Sequence, residues 1–316
     1  MLHSLVIPVY NEAAGLDALS EEVARLADHV AADGSELEVI FVNDGSRDGS
    51  EQALDGLAAR DQRFKVLHFS RNFGHQMAIT AGIEWASGAT VSVMDADLQD
   101  PPAVILDFLA KWREGFEVVY GVREARVGET WFKLFTAKIF YRIIRRLTNV
   151  EIPVDAGDFR LMDRRAVDAL LSMKERHRFI RGMVSWVGFR QAPVPYQRES
   201  RRFGTTHYPF RKMLRFAFDG ITSFSAVPLQ LATWLGLLSA SLALAASVWA
   251  VWGHFIAHIT IPGWTSLTLI VLFLGGVQML ALGIIGEYLG RIYDEVKGRP
   301  LYLVRRSVGI APPIHR

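Results

Sequence analysis

The 316-residue sequence contains no cysteine, which excludes disulfide bonds and thiolate metal ligands. It also contains neither kind of glycine-rich phosphate loop, which disfavours a dinucleotide-dependent dehydrogenase and a P-loop ATPase. The net charge at pH 7 is only +2, so the chain is not a bulk polyanion binder and we expect no nucleic-acid partner. The length allows about two domains with a substantial core.

Charged side chains are absent from one long stretch, between Gly220 and Gly286. A soluble domain could hardly tolerate such a stretch, because its solvated surface needs charged residues. Since a bilayer core takes about 20 apolar residues, we predict two transmembrane helices, at about 228–251 and 265–288. Glycines in the second helix are typical of helix pairing, so we also expect a homo-oligomer. The N-terminus lacks the basic region and the cleavage site of a signal peptide.

The connector between the predicted helices has no Lys or Arg, whereas both flanks of the pair are basic. The positive-inside rule therefore predicts that both termini lie in the cytoplasm. His254 and His258 could bind a metal, but no third ligand is near them, so we interpret them as residues of the membrane interface. The predicted organisation is a cytosolic domain over 1–218, a two-helix transmembrane domain over 219–290 and a cytosolic basic tail over 291–316.

Apolar strands alternate with helices in the first third of the chain. The predicted elements are 2–9, 15–30, 37–42, 50–60, 64–69, 76–85 and 90–94, beginning with a strand. Strands that are too apolar to have one wet face, separated by helices, predict an α/β fold with a mostly parallel sheet. Ligands bind such sheets beyond the carboxyl ends of the strands. Polar side chains follow those ends and predict a single site: Tyr10, Glu12, Asp44, Asp95 and Asp97.

Asp95 and Asp97 lie in the most informative stretch, VSVMDADLQDPP, in which Gln99 follows two residues later. Two carboxylates one residue apart and a nearby amide oxygen suit a hard divalent ion that also binds phosphate oxygens. The alternative is a polar loop in which an aspartate caps the next helix. Asp44 has a comparable alternative, because Asn-Asp-Gly-Ser is also an ordinary strand-to-helix turn.

Aromatic and basic residues are interleaved along 130–147 and again along 208–218. On a helix this spacing places an apolar stripe beside a cationic one, which is typical of a helix lying on an anionic membrane surface. The alternative is an ordinary amphipathic helix packed on the core. The second segment directly precedes the charge-free stretch, which favours the membrane interpretation. Its cations could also attract the phosphate of a lipid.

Several motifs follow one another along the chain. They are Pro8-Val9-Tyr10-Asn11-Glu12, Asn43-Asp44-Gly45-Ser46, Arg71-Asn72-Phe73-Gly74-His75, Asp95-Ala96-Asp97-Leu98-Gln99-Asp100-Pro101-Pro102, Gly121-Val122-Arg123, the segment 155–162 and the segment 201–212. With these motifs the whole chain resembles family 2 glycosyltransferases, and within them the polyprenyl-phosphate branch of bactoprenol glucosyltransferases and dolichol-phosphate mannose synthase. The resemblance implies a GT-A nucleotide-sugar-binding fold, an inverting transfer and a requirement for Mg²⁺ or Mn²⁺.

The resemblance also implies roles for individual residues. The base and ribose of the donor would be held by Pro8, Tyr10, Glu12 and Asp44. The metal and the diphosphate would be held by Asp95, Asp97 and Gln99. The other implied donor-site residues are Ala96, Arg123, Lys133, Arg201 and His207. His207 stands where the family usually has lysine, and because a neutral imidazole is the weaker phosphate partner, more of the charge would fall on Arg201.

Three aspartates are the catalytic candidates: Asp97, Asp155 and Asp158. We expect Asp155 and Asp158 near the acceptor, although a helix cap or a salt bridge to Arg160 would equally account for one of them. A lipid phosphate is already ionised at pH 7, so as an acceptor it needs little or no general base. The leaving diphosphate develops negative charge, which a divalent ion and arginines would stabilise.

The resulting hypothesis is an enzyme of the bacterial inner membrane that transfers glucose from UDP-glucose to undecaprenyl phosphate at the cytoplasmic face. A separate flippase and a later glycosyltransferase would then be its pathway partners. GDP-mannose is the alternative donor. A processive polysaccharide synthase is disfavoured because the Gln-x-x-Arg-Trp segment of those enzymes is missing. A non-catalytic membrane scaffold is disfavoured because the acidic motif is intact.

Overall fold

The computed structural model describes residues 1–123, 156–199, 227–255 and 263–313. The strands of these residues form one eight-stranded sheet. They are β1 (Leu2–Val9), β2 (Glu36–Asn43), β3 (Phe64–Phe69), β4 (Thr90–Val93), β5 (Val118–Arg123), β6 (Ala156–Asp163), β7 (Gln191–Tyr196) and β8 (Val304–Val308). Their order across the sheet is β7-β5-β6-β4-β1-β2-β3-β8. The helices are α1 (Leu16–Ala32), α2 (Ser50–Arg60), α3 (His75–Trp85), α4 (Val104–Arg113), α5 (Arg164–Ser172), α6 (Ile180–Trp186), α7 (Val227–Phe255) and α8 (Trp264–Val296).

The first four strands run parallel to one another, with β1 between β2 and β4 at the centre of the sheet. They are connected by α1, α2 and α3, and all seven elements predicted from the sequence lie within two residues of their predicted bounds. The predicted α/β fold with a mostly parallel sheet is therefore confirmed. The exceptions are β6, which is antiparallel to β4 and β5, and β8, which is antiparallel to β3.

Both faces of the central strands are buried. Leu5, Ile7 and Phe41 pack in the layer that contains α1, α2 and α4. The alternate residues Val6 and Ile40 pack in the layer that contains α3, α5 and α6. Because successive side chains of a strand point to opposite faces, a strand covered on both sides must be apolar at every position. The two layers hold the parallel strands so that their carboxyl ends meet at one edge of the sheet.

The segment predicted as a cytosolic tail, 291–316, contains a strand that joins the sheet. After α8 ends, β8 pairs with β3 and covers one edge of the sheet. Near the end of α8, Glu295 Oε1 accepts a hydrogen bond of 2.7 Å from the backbone N–H of Arg176. Tyr302, just before β8, stacks on the ring of Phe69 with the centroids 5.1 Å apart. Contacts on both sides of the turn that precedes β8 thus fasten the end of α8 to the segment between α5 and α6, and Tyr302 to β3.

The helices α7 and α8 are 29 and 33 residues long and pack against each other. Among the described residues, one helical segment, Phe273–Val296, is long and apolar enough to cross a membrane, and Ala232–Leu242 is a shorter apolar segment. Large apolar side chains on both helices are exposed, as Trp234 illustrates. The predicted amphipathic segments, 130–147 and 208–218, lie outside the described residues.

Gly82 lies in α3 where the helix approaches β1 most closely, because a Cβ there would be 2.1 Å from Val6 Cγ1. We expect Gly82→Ala to push α3 away from β1 and to lower the free energy of unfolding by about 2 kcal/mol, as overpacking does. Gly56→Ala in α2 is the matched control, since no described atom lies within 4 Å of its Cβ position. The thermal unfolding midpoint of Gly56→Ala should be unchanged or higher than that of the wild type, because alanine is a better helix former than glycine. Thermal unfolding in detergent measures both, and equal midpoints would contradict the prediction.

His3 joins β1 to β4, with Nδ1 2.8 Å from Thr90 Oγ1 and a side chain that is only 2% exposed. Burial, helped by the N-terminal amine and Arg113, lowers the pKa of His3 to about 4. The unfolded chain takes up this proton near pH 6.5, so its contribution to stability is present above that pH and is lost as the pH falls toward 4.

We therefore expect the wild type to lose about 2 kcal/mol of stability through His3 between pH 7 and pH 5. His3→Phe should lose less over the same interval, because phenylalanine has no group to protonate. Thermal midpoints at the two pH values measure the difference. The same decrease in both proteins would contradict the assignment of this acid sensitivity to His3.

Candidate active site

The loops that follow β1 and β2 are joined to each other. The two strands end side by side, with Val9 paired to Asn43. The backbone N–H of Asn11 donates to Ser46 Oγ at 3.0 Å, and the backbone N–H of Arg47 donates to Asn11 Oδ1 at 2.8 Å. Asn11 has φ +56°, a left-handed conformation that asparagine tolerates better than most residues. The carboxyl ends of β1 and β2 thereby form one fixed surface.

Three predicted donor-site residues belong to this surface. Pro8 is buried in β1, Tyr10 is 47% exposed and Glu12 is partly buried. The backbone N–H of Glu12 donates to Ser50 Oγ at 3.1 Å, which fixes the loop after β1 against the start of α2. An exposed aromatic ring on a fixed loop is a surface on which a planar base can stack.

Asp44 fastens the loop after β3 to the loop after β2. Its side chain is only 3% exposed. Oδ1 accepts from the N–H of Phe73 at 2.6 Å, and Oδ2 accepts from the N–H of Gly74 at 3.0 Å. Burial raises the pKa of Asp44, although these two amides oppose the shift. Gly45 allows the loops after β2 and β3 to approach closely. It has φ +69°, and a Cβ there would be 2.6 Å from backbone atoms of the loop after β3. A contact of Asp44 with the donor base stays a prediction.

Asp95 and Asp97 follow β4 in a tight loop. Leu98 has φ +55°, and the backbone N–H of Gln99 donates to Asp97 Oδ1 at 3.2 Å. Oδ1 of Asp95 is buried and has no hydrogen-bond partner among the described residues. Burial raises the pKa of Asp95, with His75 opposing the shift and neighbouring carboxylates adding to it. A buried carboxylate oxygen without a partner is costly unless a cation binds it, so these residues fit a divalent ion.

The predicted metal site is open, in the sense that the described side chains alone do not complete the coordination of an ion. Of the residues that the structure describes, no three acidic or histidine side chains converge on one point as a complete metal site. An ion held by Asp95 and Asp97 would therefore keep positions for water and for diphosphate oxygens, as Mg²⁺ usually does. The Gln99 side chain lies beside them and donates through Nε2 to the carbonyl of Glu199 at 3.4 Å, so a cation would take its Oε1.

Asp158, on β6, is held by several donors and is only 6% exposed. Arg181 binds it in a bidentate manner, with Nε 2.9 Å from Oδ1 and the second nitrogen 3.2 Å from Oδ2. His75 Nε2 lies 3.3 Å from Asp158 Oδ2 and 3.6 Å from Asp95 Oδ1. Gln76 Nε2 completes the set at 3.4 Å. Burial opposes the charge, but Arg181 and His75 hold the pKa of Asp158 well below its usual range.

The two structural alternatives, a helix cap and a salt bridge to Arg160, do not hold for Asp158, and for Asp155, which lies outside the described residues, they stay predictions. The residue lies in a strand, and the aspartate that caps a helix nearby is Asp163, which accepts from the backbone N–H of Arg165. The cation that pairs with Asp158 is Arg181 and not Arg160. Arg160 donates instead to the carbonyl of Gly157 at 2.8 Å, and burial lowers its pKa to about 10.

A further buried carboxylate, Asp100, connects the loop after β4 to the end of β7 and the segment that follows it. It is 1% exposed and accepts from the hydroxyl of Tyr196 at 2.6 Å. Arg198 Nε lies 3.4 Å from the same Oδ1 atom. Arg123, at the end of β5, has its Nε 3.5 Å from the Tyr196 hydroxyl oxygen. Burial opposes the charge of Arg123, but the contact with Tyr196 keeps its pKa above the usual value.

The structure brings most predicted site residues to one edge of the sheet. These residues are Pro8, Tyr10, Glu12, Asp44, Asp95, Ala96, Asp97, Gln99, Arg123 and Asp158. Four predicted residues lie outside the described residues: Lys133, Asp155, Arg201 and His207.

Sequence reasoning assigned no site role to five residues that support this edge, although two of them lie in the quoted motifs. They are His75, Gln76, Asp100, Arg181 and Tyr196. The position of His75 and Gln76 after the loop of β3, and that of Asp100 inside the acidic motif, were usable signals. Arg181 and Tyr196 come from a later helix and an edge strand, and nothing local in the sequence marks them.

Comparisons with known proteins agree with this arrangement. The family model described as "Glycosyl transferase family 2" matches residues 4–171. The chain is 48% identical over 308 residues to "Uncharacterized glycosyltransferase YkcC" of Bacillus subtilis (strain 168), covering 98% of this chain and 94% of that protein. It is 38% identical to "Prophage bactoprenol glucosyl transferase homolog" of Escherichia coli (strain K12), covering 96% and 98%. It is also 38% identical to "Bactoprenol glucosyl transferase" of Shigella phage SfII, covering 96% and 97%.

Proposed function

The chain belongs to glycosyltransferase family 2, and we propose that it transfers a hexose from a nucleoside diphosphate sugar to a polyprenyl phosphate at the cytoplasmic face of a membrane. The observation that carries the proposal is the buried Oδ1 of Asp95, which accepts no hydrogen bond from the described residues and lies beside the joined loops of β1 and β2. Two relatives named for bactoprenol glucosyl transfer support the acceptor and the sugar. The pair that we propose is UDP-glucose and undecaprenyl phosphate.

We propose that the donor lies along the carboxyl edge of the sheet. Its base would stack on Tyr10, next to Pro8 and Glu12, and its diphosphate would reach the loop after β4. A Mg²⁺ or Mn²⁺ ion bound by Asp95 and Asp97 would stabilise the negative charge of the leaving diphosphate. Lys133 and Arg201 are proposed as further cations for these phosphates, together with Arg123, and His207 is proposed as a weaker phosphate partner.

Asp158 is proposed to act near the acceptor without taking a proton. A polyprenyl phosphate is already ionised at neutral pH, so the transfer needs no general base. The contacts with Arg181 and His75, which keep the Asp158 carboxylate ionised, support this role because a weakly basic group is a poor proton acceptor. Asp155 is proposed as its neighbour on the acceptor side, and the transfer is proposed to invert the anomeric configuration.

We propose that α7 and α8 both cross the membrane. Their lengths correspond to about 44 and 50 Å at 1.5 Å per residue, which is enough for a hydrocarbon core of about 30 Å. The exposed apolar side chains along both helices support contact with lipid tails. Gly275 and Gly283 on α8 would allow a second copy of the chain to pack closely, consistent with a homo-oligomer. A separate flippase and a later glycosyltransferase would use the lipid-linked product.

The transfer reaction can be tested with purified protein in detergent, undecaprenyl phosphate and radiolabelled UDP-glucose, other UDP-sugars or GDP-mannose. We expect label from UDP-glucose to enter the organic phase with Mg²⁺ or Mn²⁺ and to disappear with EDTA. Asp97→Ala should lower the rate at least about a hundredfold, because a fixed electrostatic contact to the leaving group is lost. Asp107→Ala, on the exposed side of α4, is the control and should keep the wild-type rate.

Each other outcome of this assay has a separate meaning. Transfer from GDP-mannose alone would replace the proposed donor but keep the acceptor. Nucleotide binding without any lipid-linked product would refute the acceptor and favour a scaffold. The configuration of the product, read by NMR, tests inversion.

Asp158→Asn distinguishes a positioning carboxylate from a base. We expect turnover to fall about tenfold or more, because an amide cannot hold Arg181 in a bidentate ion pair and small displacements are costly. The shape of the pH–rate profile should not change, since no proton transfer to Asp158 is involved. Loss of the acidic limb of the profile would identify Asp158 as a base instead. Near-wild-type turnover with normal donor binding would exclude any catalytic role.

A further inference from the structure

The strand that closes the sheet also contacts α2 through two neighbouring arginines. Arg305 donates to Glu51 Oε1 at 2.5 Å. Arg306 donates to Asp55 Oδ2 at 2.6 Å and lies 3.4 Å from Glu51 Oε1. All four side chains are partly or largely exposed, so as surface ion pairs they add little to stability. The ion pair of Arg306 differs from that of Arg305 in one respect, because Asp55 also contacts a second residue, which is buried.

That partner is His68, on β3, whose side chain is completely buried. Its Nε2 lies 3.1 Å from Asp55 Oδ1, and its Nδ1 lies 3.0 Å from Asn43 Nδ2. Asn43 is the last residue of β2, and its Oδ1 accepts from the backbone N–H of Ser46 at 3.0 Å. The hydroxyl of Ser46 in turn accepts from the backbone N–H of Asn11. A continuous line of contacts therefore runs from β8 to the surface formed by the loops after β1 and β2.

The direction of each hydrogen bond in this line is determined. A carboxylate only accepts, so the His68 nitrogen that faces Asp55 must carry the hydrogen. The other ring nitrogen then accepts, which requires the Asn43 amide nitrogen as donor and leaves the amide oxygen for Ser46. Burial lowers the pKa of His68, so the neutral ring that this pattern needs is the favoured form. Both ring nitrogens of His68 and both side-chain polar atoms of Asn43 therefore have a hydrogen-bond partner.

We propose that Arg306, Asp55 and His68 are positioning residues for the donor nucleotide. Through Asn43 they hold the loop after β2, and through Ser46 the loop after β1, in the conformation that presents Tyr10 to the base. This inference rests on the proposed function, since it assigns the base and ribose to that surface. The line does not include Asp95 or Asp97, so its loss affects binding of the nucleoside half and not the reacting diphosphate end.

The test compares Arg306→Gln with Arg305→Gln, using UDP-glucose as the varied substrate. Both variants remove one exposed arginine from β8, but only Arg306 reaches Asp55. We expect Arg306→Gln to raise the donor KM at least about threefold with kcat within about twofold of the wild type, as for the loss of one hydrogen bond. Arg305→Gln should change neither constant.

His68→Phe and His3→Phe form the second matched pair. Both replace a buried, hydrogen-bonded histidine of a parallel strand, but His3 lies at the amino end of β1, at the opposite edge from the site. We expect His68→Phe to raise the donor KM about tenfold, since two buried hydrogen bonds are lost. His3→Phe should lower the thermal midpoint without changing KM. A rise in KM in both members of either pair, or a fall in kcat with KM unchanged, would overturn the proposal.

Binding of UDP with Mn²⁺, followed by calorimetry, separates this inference from the proposed reaction. If the wild type transfers no sugar but binds UDP, the proposed acceptor is wrong, and the positioning role is judged on Kd. An increased Kd in Arg306→Gln and an unchanged Kd in Arg305→Gln would then support it. Equal Kd values in the wild type and in Arg306→Gln would refute it.

Discussion

The energetic penalty for burying negative charge governs the carboxyl edge of the sheet. Aspartates from three different segments meet there, and the most buried ones, Asp44, Asp100 and Asp158, each have a different kind of partner. Asp44 accepts two backbone amides, Asp100 accepts a tyrosine hydroxyl, and Asp158 is bound by Arg181. Asp95 differs from them, since its buried Oδ1 accepts no hydrogen bond from the described residues and lies 3.6 Å from His75 Nε2. A cation bound at this oxygen would lower the energetic cost of burying it.

The same partners give the edge its rigidity. Each buried carboxylate connects two chain segments that are distant in sequence: Asp44 connects the loops after β2 and β3, and Asp158 connects β6 to α6. The positions of the site residues are therefore set by electrostatic contacts between loops rather than by the loops' own conformational preferences. This arrangement suits a transferase, whose substrates must be held in a fixed relative orientation.

The sequence was sufficient for the local features and insufficient for the long-range ones. Apolar periodicity determined β1 to β4 and α1 to α3, because a strand covered on both faces has a pattern that can be read without its neighbours. The acidic motif likewise indicated Asp95 and Asp97. In contrast, β8 reads as part of a basic tail, since the partner that makes Val304–Val308 a strand is more than 200 residues away. Arg181 could not be assigned for the same reason, because its role depends only on the position of Asp158.

The position of β8 in the chain has a consequence for biosynthesis. Both long apolar helices, α7 and α8, are translated before the strand that completes the sheet. Until β8 is made, the outer edge of β3 exposes unpaired backbone groups on the nascent chain, which is a surface prone to misassociation. The order of synthesis thus delays completion of the catalytic domain until the helices have left the ribosome.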